Sequence, residues 1–200
     1  MWYRLLLEDN VTMEEKEGQS RNFIPCRVEA ANPTTNWETT WQRSRMKGLG
    51  SELTSFLFKL LHQLLTTQER LARTNNNVSP LCKAPGCPGG NVEDLVHAFI
   101  KCPSNNGAGQ AIVDSVSSFT TGMTDEQALR LEYNPMDDYE FATTWVLGNG
   151  FLKIWETRCA GKRPELYIVR ADLEAKISLL RETRRHENDV ILIGSILDKL

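Results

Sequence analysis

The sequence has no apolar stretch approaching the roughly 20 residues of a membrane span. Its leucine-rich piece, Leu60-Leu61 to Leu64-Leu65, is broken by His62 and Gln63. The opening MWYRLLLEDN reaches Glu8 directly after Leu5, Leu6 and Leu7, far short of the about 7 to 15 apolar residues of a secretory leader. The cysteines are therefore expected in a reducing, intracellular compartment, nuclear or cytoplasmic. There a thiol is a metal ligand, a nucleophile or a core residue rather than half of a disulfide. No segment alternates polar and apolar residues with period two, and nothing repeats at about 20 to 50 residues, which argues against sheet-rich and solenoid architectures. One-sided charge is also missing, since 23 basic residues face 26 acidic ones for a net charge of -3. The acid is unevenly spread: residues 106 to 150 hold seven acidic side chains and one basic. Any contact with a polyanion must then come from local basic clusters.

What remains is helical pattern. Residues 1–36 mix charges, prolines and turn formers with little periodicity, and read as a linker or draped arm. Asn36 is placed to cap a short helix carrying Trp37 and Trp41 and ending near Gly48 and Gly50, with both tryptophans read as core anchors. From Ser51, the residues Leu53, Leu57, Leu60, Leu61 and Leu64 share one face, the strongest helical signal in the chain. A short helix in TTQERLAR stops at the polar TNNN run. Further helices are expected in GQAIVDSVSSF, in DEQALRLE after Thr124, and from about Asp137 to Arg158, the last weakened or bent by Gly148 and Gly150. Leu166, Val169, Leu173, Ile177 and Leu180 then mark one more. The expected fold is mostly α: an irregular helical assembly with residues 37–105 carrying a small insert, and residues 106–200 forming a C-terminal helical region.

The insert is the chemically distinctive part. Cys82, Cys87, His97 and Cys102 give the pattern C-x4-C-x9-H-x4-C. Tetrahedral zinc takes four nitrogen or sulfur donors, commonly starting from two cysteines a few residues apart. Pro85 and Gly86 suit a tight turn between the first pair. The second pair poses a problem, because residues five apart on an α-helix point about 140° apart. A helix capped by Asn91, with Asp94 in its first turn, would carry His97, and Pro103 drives Cys102 out of the α region so that its sulfur can swing beneath the imidazole. Leu95, Val96 and Phe99 are expected to cover the apolar side. Two other readings stand beside this one: buried free thiols with a satisfied histidine, and a catalytic Cys/His pair, for which no nearby oxyanion site or orienting acid is evident. Cys26 and Cys159 lie outside the pattern and read as structural thiols. Four protein donors leave no open coordination position, so a zinc here would organise the chain rather than perform chemistry.

SFLFKLLHQLLTTQERLAR, followed by the Cys-Cys-His-Cys (CCHC) knuckle with EDLVHAFIKCP, resembles the zinc-binding region downstream of the polymerase in non-LTR retrotransposon reverse transcriptases. The match covers roughly Trp41 to Pro103, and LYIVRADLEAKISLLRETRR is similar to the tail that follows this region in some animal elements. The resemblance implies ligand roles for Cys82, Cys87, His97 and Cys102, a Zn2+ cofactor, a nucleic-acid-facing role for Arg70 and Arg73, and an upstream polymerase domain as partner. One departure is Leu65-Thr66-Thr67, where the family usually reads Leu-Pro-Thr.

No catalytic residues are expected. The family's paired polymerase aspartates lie upstream of its knuckle, whereas Asp137-Asp138 lies downstream and reads as a helix start, where acids favour the dipole. Glu174 and Lys176 mimic part of a nuclease motif but read as a solvated helix face. Candidate contacts to RNA or single-stranded DNA are Lys83 and Lys101 at the knuckle, Arg70 and Arg73, the group Arg43, Arg45 and Lys47, and more weakly Arg181, Arg184 and Arg185. The expected function is a non-catalytic segment that helps hold template RNA or target DNA during target-primed reverse transcription. The alternative is a relic or host-retained zinc-knuckle protein serving a protein interaction, which the acidic 106 to 150 segment favours.

Overall fold

The computed structural model describes residues 32, 34–182 and 187–200, and the linker expected over residues 1–36 falls almost wholly outside them, as do Cys26, Arg184 and Arg185. Thr34–Leu200 forms one compact, mostly helical unit. Its elements are α1 (Trp37–Ser44), α2 (Ser51–Leu61), α3 (Gln68–Thr74), a π-turn (His97–Lys101), α4 (Ala108–Ser117), α5 (Asp125–Leu129), α6 (Glu140–Cys159), α7 (Leu166–Glu182) and α8 (Glu187–Leu197). The described strands are two residues each, Thr120–Thr121 paired antiparallel with Asn134–Pro135.

The early helices follow their local signals. The Asn36 side chain accepts from Thr39 N–H at 3.3 Å at the start of α1. Trp37 and Trp41, expected as core anchors, instead stack at 5.5 Å on the half-buried surface, with His62 stacked on Trp41 at 4.8 Å. Helix α2 ends without a proline. Gln63 takes a left-handed φ of 53°, Leu64 N–H donates to Lys59 O at 2.7 Å and Gln63 N–H to Leu60 O at 3.0 Å. This is a Schellman motif, which satisfies the last carbonyls of the helix. Thr67 then caps α3 by accepting from Arg70 N–H at 3.3 Å. A backbone stop and a threonine cap thus separate α2 from α3 across Leu65-Thr66-Thr67 without a proline.

Helix α6 is the centre of the core, packed by α2, α4, α7 and α8. Residues on all its sides are buried, including Trp145, Val146, Leu147, Phe151, Leu152 and Ile154, so the one-sided stripe expected of a surface helix is absent. Gly148 and Gly150 do not break the helix; they let neighbours approach. A Cβ on Gly148 would sit 2.9 Å from Leu53 Cδ1 of α2, and one on Gly150 would sit 2.7 Å from Ile112 Cδ1 of α4. The expected start at Asp137 is instead a 3-10 turn, Asp137–Tyr139, ahead of the α-helix. Helix α7 buries Val169, Leu173 and Ile177 as its spacing requires. Helix α8, for which the sequence pattern raises no expectation, adds Val190, Ile193, Ile196 and Leu197 to the core.

Candidate metal centre

Residues 80 to 93 fold back on themselves. Leu81 and Val92 form an antiparallel bridge, Cys82 N–H donates to Asn91 O at 2.9 Å, and Glu93 N–H donates to Pro80 O at 2.9 Å. Within this loop Cys87 N–H donates to Ala84 O at 3.0 Å, with Pro85 and Gly86 at the turn centre and Gly86 at φ 83°. Proline followed by a positive-φ glycine is the signature of a type II turn. It brings the first two sulfurs to one side.

The second pair is aligned by a device that α-helical geometry does not offer. Cys102 N–H donates to His97 O at 2.8 Å, an i to i+5 bond that widens residues 97–101 into a π-turn. Cys102 itself is extended, φ -67° and ψ 124°, as a residue before proline should be. The helical turn does not start at Asn91, which belongs to the loop pairing. Asp94 is the cap: its Oδ1 accepts from His97 N–H at 2.6 Å. Phe99 is fully buried in the core, with its ring 5.5 Å from Phe151, 5.8 Å from Trp155 and 6.1 Å from Phe56. The π-turn is therefore anchored to α2 and α6 by one aromatic side chain.

Widening a helix and ending it at proline strands carbonyls that need donors. Asn105, fully buried, supplies them: its Nδ2 donates to Ala98 O at 2.8 Å and Phe99 O at 3.0 Å. Ser104 Oγ ties the same segment to the turn by donating to Pro85 O at 2.8 Å.

The donor atoms of Cys82, Cys87, His97 and Cys102 all lie within 4.8 Å of one another, a group that could hold a metal ion. Cys82 Sγ and Cys102 Sγ are 3.8 Å apart, and Cys87 Sγ is 3.6 Å from His97 Nε2. These cysteines are free thiols. Burial lowers the His97 pKa, with the nearby Arg158 charge acting the same way against the opposing pull of Asp94 and Glu93. The neutral imidazole that a metal requires is favoured.

Two residues that spacing does not reveal complete the setting. Arg158, in the last turn of α6, ion-pairs with Glu93, and its Nη2 lies 3.7 Å from Cys82 Sγ. Arg163 donates from Nε to Pro85 O at 3.2 Å, and its guanidinium covers the open side of Gly86. Arg158 is placed by α6 itself, and Arg163 arrives because α6 ends in a second Schellman motif, with Gly161 at φ 69° and Lys162 N–H donating to Thr157 O at 3.0 Å. The chain then reverses over the knuckle. Neither arginine carries a sequence signal, since each is about 55 to 80 residues from its contacts and no local motif spans that separation.

The basic candidates divide sharply. Lys83 is exposed on the knuckle loop, and Arg45 and Lys47 are exposed after α1. Lys101 is exposed but lies 3.3 Å from Asp125. Arg73 is paired with Glu69 at 2.5 Å, and Arg70 donates to the carbonyl of Gln63. Arg43 is a correction: it is 5% exposed, pairs with Glu140 at 2.9 Å, donates to Leu131 O at 2.7 Å and lies 4.0 Å from the centre of the Tyr133 ring. It is a structural residue with no face left for a ligand. Glu174 pairs with Arg170 at 2.9 Å and Lys176 with Asp172 at 3.0 Å, both along one helix.

No family model matches the chain, and no curated protein or solved structure matches it. Among the described residues, no helix is long and apolar enough to cross a membrane.

Proposed function

We propose that this chain is a zinc-stabilised, non-catalytic helical segment of a non-LTR retrotransposon reverse transcriptase, whose knuckle helps hold template RNA or target DNA beside an upstream polymerase domain. The observation that supports the metal-binding part of this reading is the donor set, whose atoms all lie within 4.8 Å of one another. A tetrahedral zinc with sulfur at about 2.3 Å and nitrogen at about 2.05 Å has S–S edges of about 3.8 Å and S–N edges of about 3.6 Å. Two of the six donor–donor edges, Cys82–Cys102 at 3.8 Å and Cys87–His97 at 3.6 Å, have these lengths, within a set that spans up to 4.8 Å. Bound there, zinc would supply cross-linking of the loop to the π-turn and no reactive position, because all four donors come from the chain.

The exposed Lys83, with Arg163 brought against the Pro85 turn by the chain after α6, gives the knuckle loop two cationic side chains suited to phosphate. The same two side chains do not read base sequence, so weak, salt-dependent binding to single strands is the expected behaviour. The competing reading is a protein-interaction module. It draws on Asp125, which belongs to the acidic 106–150 segment and already occupies Lys101 at 3.3 Å.

Fluorescence anisotropy with labelled single-stranded RNA and DNA tests the proposal. Binding should appear at low salt, weaken as salt rises, and fall on chelation and in Lys83→Glu. Absence of binding at low salt, or binding indifferent to both chelator and Lys83→Glu, would overturn the nucleic-acid role and leave the protein-interaction reading.

A further inference from the structure

The four donors leave a charge imbalance that they do not resolve themselves. Metal coordination takes cysteine as thiolate, so three sulfurs and one divalent ion carry a net negative charge. Two of those sulfurs belong to residues only 5% and 2% exposed, Cys82 and Cys102. Glu93 makes the imbalance worse, being 8% exposed with its Oε1 3.8 Å from Cys82 Sγ. Like charges this close and this dry are costly unless a cation is placed between them.

Arg158 is that cation. Its side chain is 6% exposed and ion-paired to Glu93. Its Nη2 is 3.7 Å from Cys82 Sγ, while Nη1 donates to Asn105 Oδ1 at 3.2 Å. A guanidinium can address a carboxylate, an amide oxygen and a sulfur at once because its donors form a rigid fork; the ammonium of lysine cannot match that geometry. Each acceptor leads somewhere different. Asn105 holds the two stranded carbonyls of the π-turn at Ala98 and Phe99. Glu93 reaches the start of α3, where its Oε2 accepts from Gln68 N–H at 3.0 Å. Cys82 is itself a metal donor.

We propose that Arg158 is the positioning residue of the metal centre: it hydrogen-bonds the Cys82 sulfur, offsets Glu93, and thereby links metal occupancy to the end of α6 and the beginning of α3. This rests on the zinc reading above. It predicts that metal affinity is set in part by a residue far beyond the last ligand in the chain, and that the metal steadies α3 as well as the knuckle.

The experiment uses the full chain, comparing wild type with Arg158→Lys, Arg158→Met, Glu93→Gln and the Arg158→Met/Glu93→Gln pair. Zinc affinity is read by competition with a chromogenic chelator. Cobalt substitution gives the thiolate-to-metal absorption band, and urea unfolding in excess chelator gives metal-free stability. Arg158→Met should lose about 10 to 100-fold in zinc affinity, the range typical of outer partners of metal ligands. Arg158→Lys should recover only part of it. Glu93→Gln in the Arg158→Met background should restore affinity, since it removes the uncompensated carboxylate, and the cobalt band should shift in Arg158→Met. If Arg158→Met does not fold, Arg158→Lys and Glu93→Gln carry the same comparison. Unchanged zinc affinity and an unchanged cobalt band across these variants, with stability lost equally in zinc and in chelator, would reduce Arg158 to an ordinary ion pair and overturn the proposal. Wild type that binds neither zinc nor cobalt would overturn the metal reading itself, a distinct result.

Discussion

The backbone N–H of Cys102 donates to the carbonyl of His97 across five residues, at 2.8 Å, in the turn that carries both donors of the second pair to within 4.8 Å of each other. The turn holds only if its unpaired carbonyls find donors, and Asn105 provides both. Asn105→Ala should therefore cost about 1 to 3 kcal/mol, the usual penalty for stranding buried polar groups. Urea denaturation checks it. A variant as stable as wild type would mean that the π-turn does not depend on this amide.

Metal removal should be felt throughout the unit. The knuckle is joined to the core by Phe99 and by the Arg158–Glu93 ion pair. Purified protein should carry one zinc per chain; chelation, Cys82→Ser and His97→Ala should each lower the melting temperature, and Cys159→Ser should leave zinc content unchanged. Elemental analysis with thermal melts reads all four. Equal melting temperatures with and without chelator would contradict a structural ion.

Glycine-to-alanine changes should differ in sign along the helices. At Gly194 in α8 an added methyl group would meet nothing within 4 Å, so Gly194→Ala should stabilise by up to about 1 kcal/mol through helix propensity alone. Gly150 faces three atoms of buried Ile112 at 2.7 to 3.2 Å. There the overpacking cost of about 1 to 3 kcal/mol should outweigh that gain. Gly109→Ala should be worse, because the added carbon meets the backbone carbonyl of Phe99 rather than a side chain. Paired denaturation curves give the ranking, and stabilisation at Gly150 would refute the close-approach argument.

Acid and base should each erode one ion-pair group on α6 and α7. Burial pushes the Asp172 carboxyl up, but hydrogen bonds and charge from Lys153 and Lys176 outweigh it and leave the pKa below the ordinary carboxylate value. For Lys153 the hydrogen bond to Asp172 prevails over burial, so its pKa is raised. A depressed acid stabilises the folded state above its unfolded pKa of about 3.9 and loses that contribution as pH falls through the lower folded value. A raised base stabilises below its unfolded pKa of about 10.4 and loses it as pH rises through the higher folded value. The stability difference between wild type and Asp172→Asn should be flat from about pH 5 to 9 and shrink at both ends. A difference independent of pH would show that the pair contributes no linkage.

Arg43 and Lys83 should separate folding from binding. Arg43→Ala strands the buried Leu131 carbonyl and removes the cation from the half-exposed Glu140, and should destabilise by about 1 to 3 kcal/mol, while Lys83→Glu should leave the melting temperature nearly unchanged and act on RNA affinity. A stable Arg43→Ala protein would contradict its structural role.

Local signals are legible where chemistry is local. The Asn36 cap, the Leu53-Leu57-Leu60 face and the Pro85-Gly86 turn each act within one or two turns of chain, and each element forms where its signal stands. The cluster that could hold a metal is visible for the same reason, since all four side chains fall in residues 82 to 102. Arg158 and Arg163 are invisible because their partners are fixed by the packing of α6, which follows no single-faced pattern, and Asn105 because its partners are carbonyls freed only by the π-turn. Arg43 misleads because a charge close to other charges resembles a surface cluster until Glu140 and Leu131 arrive from nearly a hundred residues away. Asn91 yields the cap role to Asp94 because strand-like pairing of Leu81 with Val92 holds it elsewhere.

The widened turn also bears on how such sites are recognised across sequences. Ligands separated by three intervening residues meet on an ordinary helix, and those separated by four do so here only because the coil admits one extra peptide. Deleting a residue between His97 and Cys102 would restore regular winding while keeping imidazole and thiol one turn apart. H-x3-C on regular winding and H-x4-C on this widened turn would then present imidazole and thiol alike, so one residue of spacing does not by itself separate the two patterns.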